Sequence, residues 1–76
     1  MCGIIGYTGG ENAVPRLLEG LESLEYRGYD SAGIAVFDGN NTLKVVKSKG
    51  RLALLRDKID HLSEKLSAHC GIGHTR

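Results

Sequence analysis

Two leucine-rich stripes at helical spacing, set among short apolar runs bounded by glycine, constrain this chain most. Val14, Leu17, Leu18, Leu21 and Leu24 fall on one face of a 3.6-residue helix, and Leu52, Leu55, Ile59, Leu62 and Leu66 repeat the pattern. Each stripe is too short for a coiled coil, which needs more heptads, so both read as core faces. Around them lie Cys2 to Tyr7 (CGIIGY), Ala32 to Phe37 (AGIAVF), Leu43 to Lys47 and Cys70 to Arg76 (CGIGHTR), all apolar runs of strand length. The order is strand, helix, hairpin, helix, strand. That predicts an α+β arrangement, mainly an antiparallel sheet with covering helices.

Local chemistry supports each boundary. Thr8-Gly9-Gly10 breaks the first run, which reads as a buried strand. Asn12 can cap the first helix, and Pro15 is tolerated in its first turn. Gly20 weakens that helix by about 1 kcal/mol relative to alanine, so packing has to hold it. Ala32 to Phe37 is apolar on both faces and is expected as a central strand. Asp38-Gly39-Asn40-Asn41 is turn chemistry joining it to Leu43 to Lys47 as a hairpin. Arg56 and Asp60 lie one turn apart on the wet side of the second helix. The last strand runs to Arg76 with no turn, cap or polar tail, so the sheet is expected to be part of a larger one, incomplete at the C-terminus.

Composition excludes several classes. With 25% charged and 41% hydrophobic residues in 76, the chain is globular in kind, and at that size it buries only about 60% of its unfolded surface, so alone it is marginal. A net charge of +1 with no basic stripe argues against nucleic acid or a membrane surface as partner. No apolar run approaches a membrane span of about 20 residues, and the start lacks the pattern of a signal peptide. Two cysteines without a secretory signal suggest thiols in a reducing cytoplasm. Cys70 reads as a small apolar strand residue, His74 as a strand-packing residue and His61 as solvated. The His69, Cys70, His74 spacing fits no zinc finger.

A cysteine directly after the initiator methionine is a pointed arrangement. Removing Met1 leaves the Cys2 thiol beside a free α-amine of pKa about 7.7–8.0, able to accept the thiol proton at neutral pH. One residue then supplies nucleophile and base, and no cofactor or metal is required. Gly3 would let a substrate approach closely. Taken alone, a second-position cysteine is more often an ordinary apolar residue.

The rest of the chain changes that balance. MCGIIG, LEYRGYDSAG and GIGHTR, in that order, resemble the class II glutamine amidotransferases, the N-terminal-nucleophile hydrolases, which begin Cys-Gly-Ile and carry an Arg-Gly-x-Asp loop. Here that loop is Arg27-Gly28-Tyr29-Asp30. Glu25-Tyr26 and Tyr29 are similar to the hexosamine-forming branch rather than to the phosphoribosyl amidotransferase or asparagine synthetase branches. By physics alone, Arg27 and Asp30 are a surface turn with an ion pair worth under about 1 kcal/mol.

The resemblance implies a four-layer αββα sandwich, with residues 2–76 as the N-terminal portion of the domain. It also implies hydrolysis of L-glutamine, with ammonia passing to fructose 6-phosphate in a separate synthase domain to form glucosamine 6-phosphate. By residue match, Cys2 is the nucleophile, and Arg76 holds the α-carboxylate of glutamine through its guanidinium fork. Arg27 and Gly28 match the loop beside the nucleophile. The family's Trp-Ala-Thr-His continuation, its Asn-Gly oxyanion pair, the Asp that holds the substrate amine and the synthase domain are expected beyond Arg76. The intact protein is expected to be a homo-oligomer.

Overall fold

The computed structural model describes residues 3–24, 30–38, 42–62 and 68–76. Its elements are β1 (Gly3–Thr8), α1 (Ala13–Leu24), β2 (Ser31–Asp38), β3 (Leu43–Lys49), α2 (Leu52–Asp60) and β4 (Ala68–Thr75). This is an α+β chain with an antiparallel sheet, as the periodicity predicts.

α1 starts where its cap dictates. The Asn12 side-chain oxygen accepts from the Val14 amide at 3.2 Å, satisfying one of the donors a helix start leaves open. The same oxygen accepts from the Ala68 amide at 3.1 Å, so one asparagine ties the helix to the first residue of β4. Pro15 sits in the first turn, where no amide hydrogen is needed. Ala13, Val14, Leu17, Leu18 and Leu21 are buried, and Leu24 packs against them. Gly20 has a steric reason to be glycine. An added Cβ would fall 1.8 Å from Ile5 Cδ1 and 2.9 Å from its Cγ1, so β1 and α1 meet there without room for a methyl group.

Gly50 (φ +89°) turns the chain from β3 into α2, a backbone conformation that side-chain-bearing residues rarely adopt. α2 is shorter than its leucine stripe suggested. Leu52 and Leu55 are buried and Ile59 is partly so, but the helix ends at Asp60. Its end is tightened by the His61 amide donating to the Asp57 carbonyl (3.1 Å) and the Leu62 amide to the Ile59 carbonyl (3.2 Å). That turn carries Leu62 off the stripe, and its exposure is a correction to the expected core position. Leu66 and the turn residues 39–41 lie outside the described residues. Arg56 reaches Glu22 of α1 at 2.8 Å, linking the two helices rather than pairing with Asp60.

The sheet order is β1-β4-β2-β3, with every neighbouring pair antiparallel. β2 is central, as its two-sided apolarity predicts. β4 is central too, paired with β1 on one side and β2 on the other, with Gly3 opposite Thr75 and Ala32 opposite Thr75. The last strand of the chain is therefore interior, and among the described residues β1 and β3 are the edges. β1 is also less buried than its apolar run implied, because an edge strand of this sheet meets α1 on one face only.

Both helices pack on a single face of the sheet, over Ala32, Ile34, Val36 and Val46. Strand alternation sends Ile4, Ile72, Ala35, Phe37, Val45 and Leu43 to the opposite face, where Ile4 is 77% exposed and Ile72, Phe37, Val45 and Leu43 are about half exposed. Cys70 lies in β4, as its reading as a small apolar strand residue has it, but on this open face opposite Phe37, where it is exposed rather than packed.

Candidate active site

Of the four residues singled out by sequence, the structure describes one. Cys2, Arg27 and Gly28 lie outside the described residues, and Arg76 is inside them. Arg76 closes the central part of the sheet. Its amide donates to the Ser31 carbonyl at 2.9 Å, and its backbone oxygen accepts from the Ser31 amide at 3.2 Å and from the Asp30 amide. Those bonds hold the residue after β4 against the start of β2 and against Asp30, the last residue of the Arg-Gly-Tyr-Asp loop. Thr75 is buried toward the helices, so the two-residue alternation sets Arg76 on the open face with His74. The Arg76 side chain is exposed, and among the described residues no carboxylate pairs with it.

The β1–β4 register gives this position its interest. Gly3 pairs with Thr75, so the residue that follows Cys2 in sequence sits opposite the residue that precedes Arg76. Across the next row of the open face run Ile4, His74, Gly33 and Lys47, each opposite the next. Gly33 is a narrow point. A Cβ there would lie 2.9 Å from His74 Nε2 and 3.1 Å from Lys47 Cγ. His74 is half-buried, in keeping with a packing role, but it faces the polar end of the open face rather than the helices. The open face is thus divided along its strands, with Arg76, His74, Lys47 and Lys49 toward one end and Ile72, Phe37, Val45 and Leu43 toward the other.

No family model matches the chain. Individual proteins match it over its entire length. Across all 76 residues it is 58% identical to the "Glutamine--fructose-6-phosphate aminotransferase [isomerizing]" of Shouchella clausii, 59% to that of Staphylococcus aureus and 57% to that of Bacillus thuringiensis subsp. konkukian. Over its whole length the chain is thus similar to glutamine–fructose-6-phosphate aminotransferases. It spans 12% of the length of these relatives.

That similarity agrees with the motif reading and points to the branch that Glu25-Tyr26 and Tyr29 indicated. Two features of the site escaped sequence reasoning. One is the position of Arg76 against Asp30, which depends on β4 pairing with β2 across a long sequence separation. The other is the convergence of Lys47, Lys49, Lys58 and His74 on one groove. A signal for part of it exists, since Lys47 and Lys49 are two apart in a strand and share a face. Lys58 comes from a helix, and its approach to β3 has no local signature.

Proposed function

We propose that this chain forms the glutaminase part of an enzyme that hydrolyses L-glutamine and passes the ammonia to fructose 6-phosphate, giving glucosamine 6-phosphate. The observation that carries the proposal is the 57–59% identity over all 76 residues to aminotransferases named for those two substrates. The ladder ending at Gly3 and Thr75 supports it, because the proposed nucleophile and the proposed carboxylate clamp flank that one pair in sequence.

In the proposed chemistry Met1 is removed and the Cys2 α-amine takes the thiol proton. The thiolate adds to the carboxamide carbon of glutamine, forming a C–S bond and a tetrahedral oxyanion. The amine returns the proton to the departing nitrogen, the C–N bond breaks and ammonia leaves. Water then cleaves the thioester to glutamate and restores the thiol. Arg76 holds the α-carboxylate of glutamine through two parallel N–H···O bonds. Arg27 and Gly28 line the loop on the nucleophile's side. No metal or cofactor enters these steps.

The same proposal extends to the fold. Helices cover one sheet face, while the other is apolar and open, as expected of one half of an αββα sandwich whose second sheet stacks on it. A cytoplasmic setting, which keeps the Cys2 thiol reduced, fits this chemistry. No helix among the described residues is long and apolar enough to cross a membrane.

The test is a transplant. The matching segment of the Staphylococcus aureus relative is replaced by this chain, and glutamine-dependent formation of glucosamine 6-phosphate is measured. The transplant should be active, and Cys2→Ala in it should abolish glutamine-dependent synthesis while leaving the protein folded. Glutamine-dependent turnover by the alanine variant within tenfold of the parent would refute the proposal.

A further inference from the structure

We propose that Leu24 is a positioning residue for the reaction: packed against Gly3, it sets where β1, which continues from Cys2 in sequence, lies relative to Arg76. The inference rests on the glutaminase reading, since it takes Cys2 as the nucleophile and Arg76 as the clamp.

Gly3 has no side chain, and strand alternation fixes which way the missing one would point. It shares a face with Ile5 and Tyr7, which pack with Leu24 against the buried core, while Ile4 is 77% exposed on the opposite face. A Cβ on Gly3 would lie 2.8 Å from Leu24 Cδ1, 3.5 Å from Leu24 Cδ2 and 3.3 Å from Thr75 Oγ1. The room beside this glycine is therefore on the helix side, where a leucine and not a substrate takes it. Turning Leu24 exchanges one methyl for the other near the same point, and buried Thr75 closes a second side. The contact is reciprocal. One turn earlier on α1, Gly20 receives Ile5, where a Cβ would fall 1.8 Å from Ile5 Cδ1. Gly20 and Leu24 are four apart on the helix, and Gly3 and Ile5 are two apart on the strand, so each pair shares a face. Helix and strand thus interlock twice, each sending a side chain into the gap left by the other's glycine. A slide of α1 along β1 would break both contacts.

The two ends of the proposed chemistry are held by different elements. Among the described residues β1 has one strand neighbour, β4, so α1 supplies the remaining restraint on it. Arg76 is restrained from the other side of β4. Its amide donates to the Ser31 carbonyl at 2.9 Å and its own carbonyl accepts from the Ser31 amide at 3.2 Å, so β2 holds it. A disturbance at Gly3 therefore shifts the strand next to the nucleophile while the clamp stays with β2. A single planar peptide bond passes that shift from Gly3 to Cys2. Misplacing a reacting group by about 1 Å can cost about 10²-fold in rate. The signature of such a positioning role is a fall in kcat at nearly constant KM for glutamine.

The experiment places Gly3→Ala, Leu24→Ala and the double variant in the transplanted enzyme and measures steady-state glutamine hydrolysis and the urea midpoint of each. Gly3→Ala should lower kcat about tenfold or more and Leu24→Ala severalfold, each with a glutamine KM within about twofold of the parent. In the double variant the new methyl takes part of the room the leucine vacates, so kcat should recover at least about threefold over Gly3→Ala. A purely structural contact would lower the urea midpoints and leave the kcat of the folded enzyme unchanged, and that result would overturn the proposal. So would a double variant no faster than Gly3→Ala. Should Gly3→Ala not fold, Leu24→Ala decides alone, and a parent-like kcat in it would overturn the proposal. A parent without glutamine-dependent activity, or one that survives Cys2→Ala, would overturn the glutaminase reading and this inference with it. An active, Cys2-dependent parent whose Gly3 and Leu24 variants match it in kcat would overturn this inference alone.

Discussion

Arg76 and Gly20 show two ways in which a residue acts through its surroundings. The Arg76 backbone is bonded to Ser31 and Asp30, while its guanidinium is exposed and has no carboxylate partner among the described residues. A charge so placed is available to a ligand. In the transplanted enzyme, Arg76→Lys should raise the KM for glutamine about tenfold or more, because a point charge cannot reproduce a bidentate clamp. The KM for fructose 6-phosphate should not move, and steady-state kinetics with each substrate varied in turn checks both. An unchanged glutamine KM would remove Arg76 from the site. Gly20 runs against helix propensity. Replacement by alanine in a helix normally gains up to about 1 kcal/mol, yet here the methyl group meets Ile5 at both Cδ1 and Cγ1, so rotating the chain end does not clear it. Gly20→Ala should therefore destabilise by about 1–3 kcal/mol, read as a lower urea midpoint. Pairing it with Ile5→Val, which removes Cδ1, should recover part of that loss.

Among the elements, those governed by local signals were the most legible. α1 was readable to the residue because Asn12, Pro15 and five apolar positions agree on one helix. The hairpin strands were readable because turn residues separate two apolar runs. What the sequence concealed was set by partners distant along the chain. β1 looks buried as an apolar run, but whether a strand lies at an edge is decided by the order β1-β4-β2-β3, which no local pattern encodes. Leu62 fits the stripe of α2, but the helix stops two residues earlier. That stop carries a pH dependence. His61 Nδ1–H donates to the Asp57 carbonyl at 2.7 Å, and this bond, then the Asp57 carboxylate, hold its pKa above the ordinary 6.5. A raised pKa means that the folded state favours the protonated ring. Its contribution is complete below the ordinary histidine value and is lost as pH rises through the folded one. A cation at a helix C-terminus also suits the helix dipole. NMR titration should place the His61 midpoint above 6.5. Asp57→Asn should lower it only part of the way, since the carbonyl bond remains. A full return to the ordinary value would show that the carboxylate alone was responsible.

At the scale of the whole molecule, the two sheet faces differ in kind. One carries a continuous core from α1 across β2 to α2, and the other presents Ile4, Ile72, Phe37, Val45 and Leu43 to water. The sequence made the helices and their core face legible, but the open face emerged only once register put those five side chains on the same side. Arg76 stands at the polar end of that face, in contact with solvent. Hydrolysis of an amide through a thiolate needs more than a nucleophile and a clamp. Donors to the developing oxyanion act strongly only in a water-excluded site, and losing even one typically costs about 2.7–4 kcal/mol, or 10²–10³ in rate. An exposed guanidinium on an uncovered sheet has bulk water as its dielectric, so it also holds a carboxylate weakly. The 76-residue chain by itself, with Met1 removed, should therefore release glutamate from glutamine at least about a hundredfold more slowly than the transplanted enzyme that contains it. Alkylation of Cys2 by a thiol reagent should still proceed, since it needs only an accessible thiolate. Glutamate release measured for the two proteins side by side separates the possibilities. Rates within tenfold of each other would mean that the open face does not need covering for catalysis, and that the chain assembles its oxyanion site unaided.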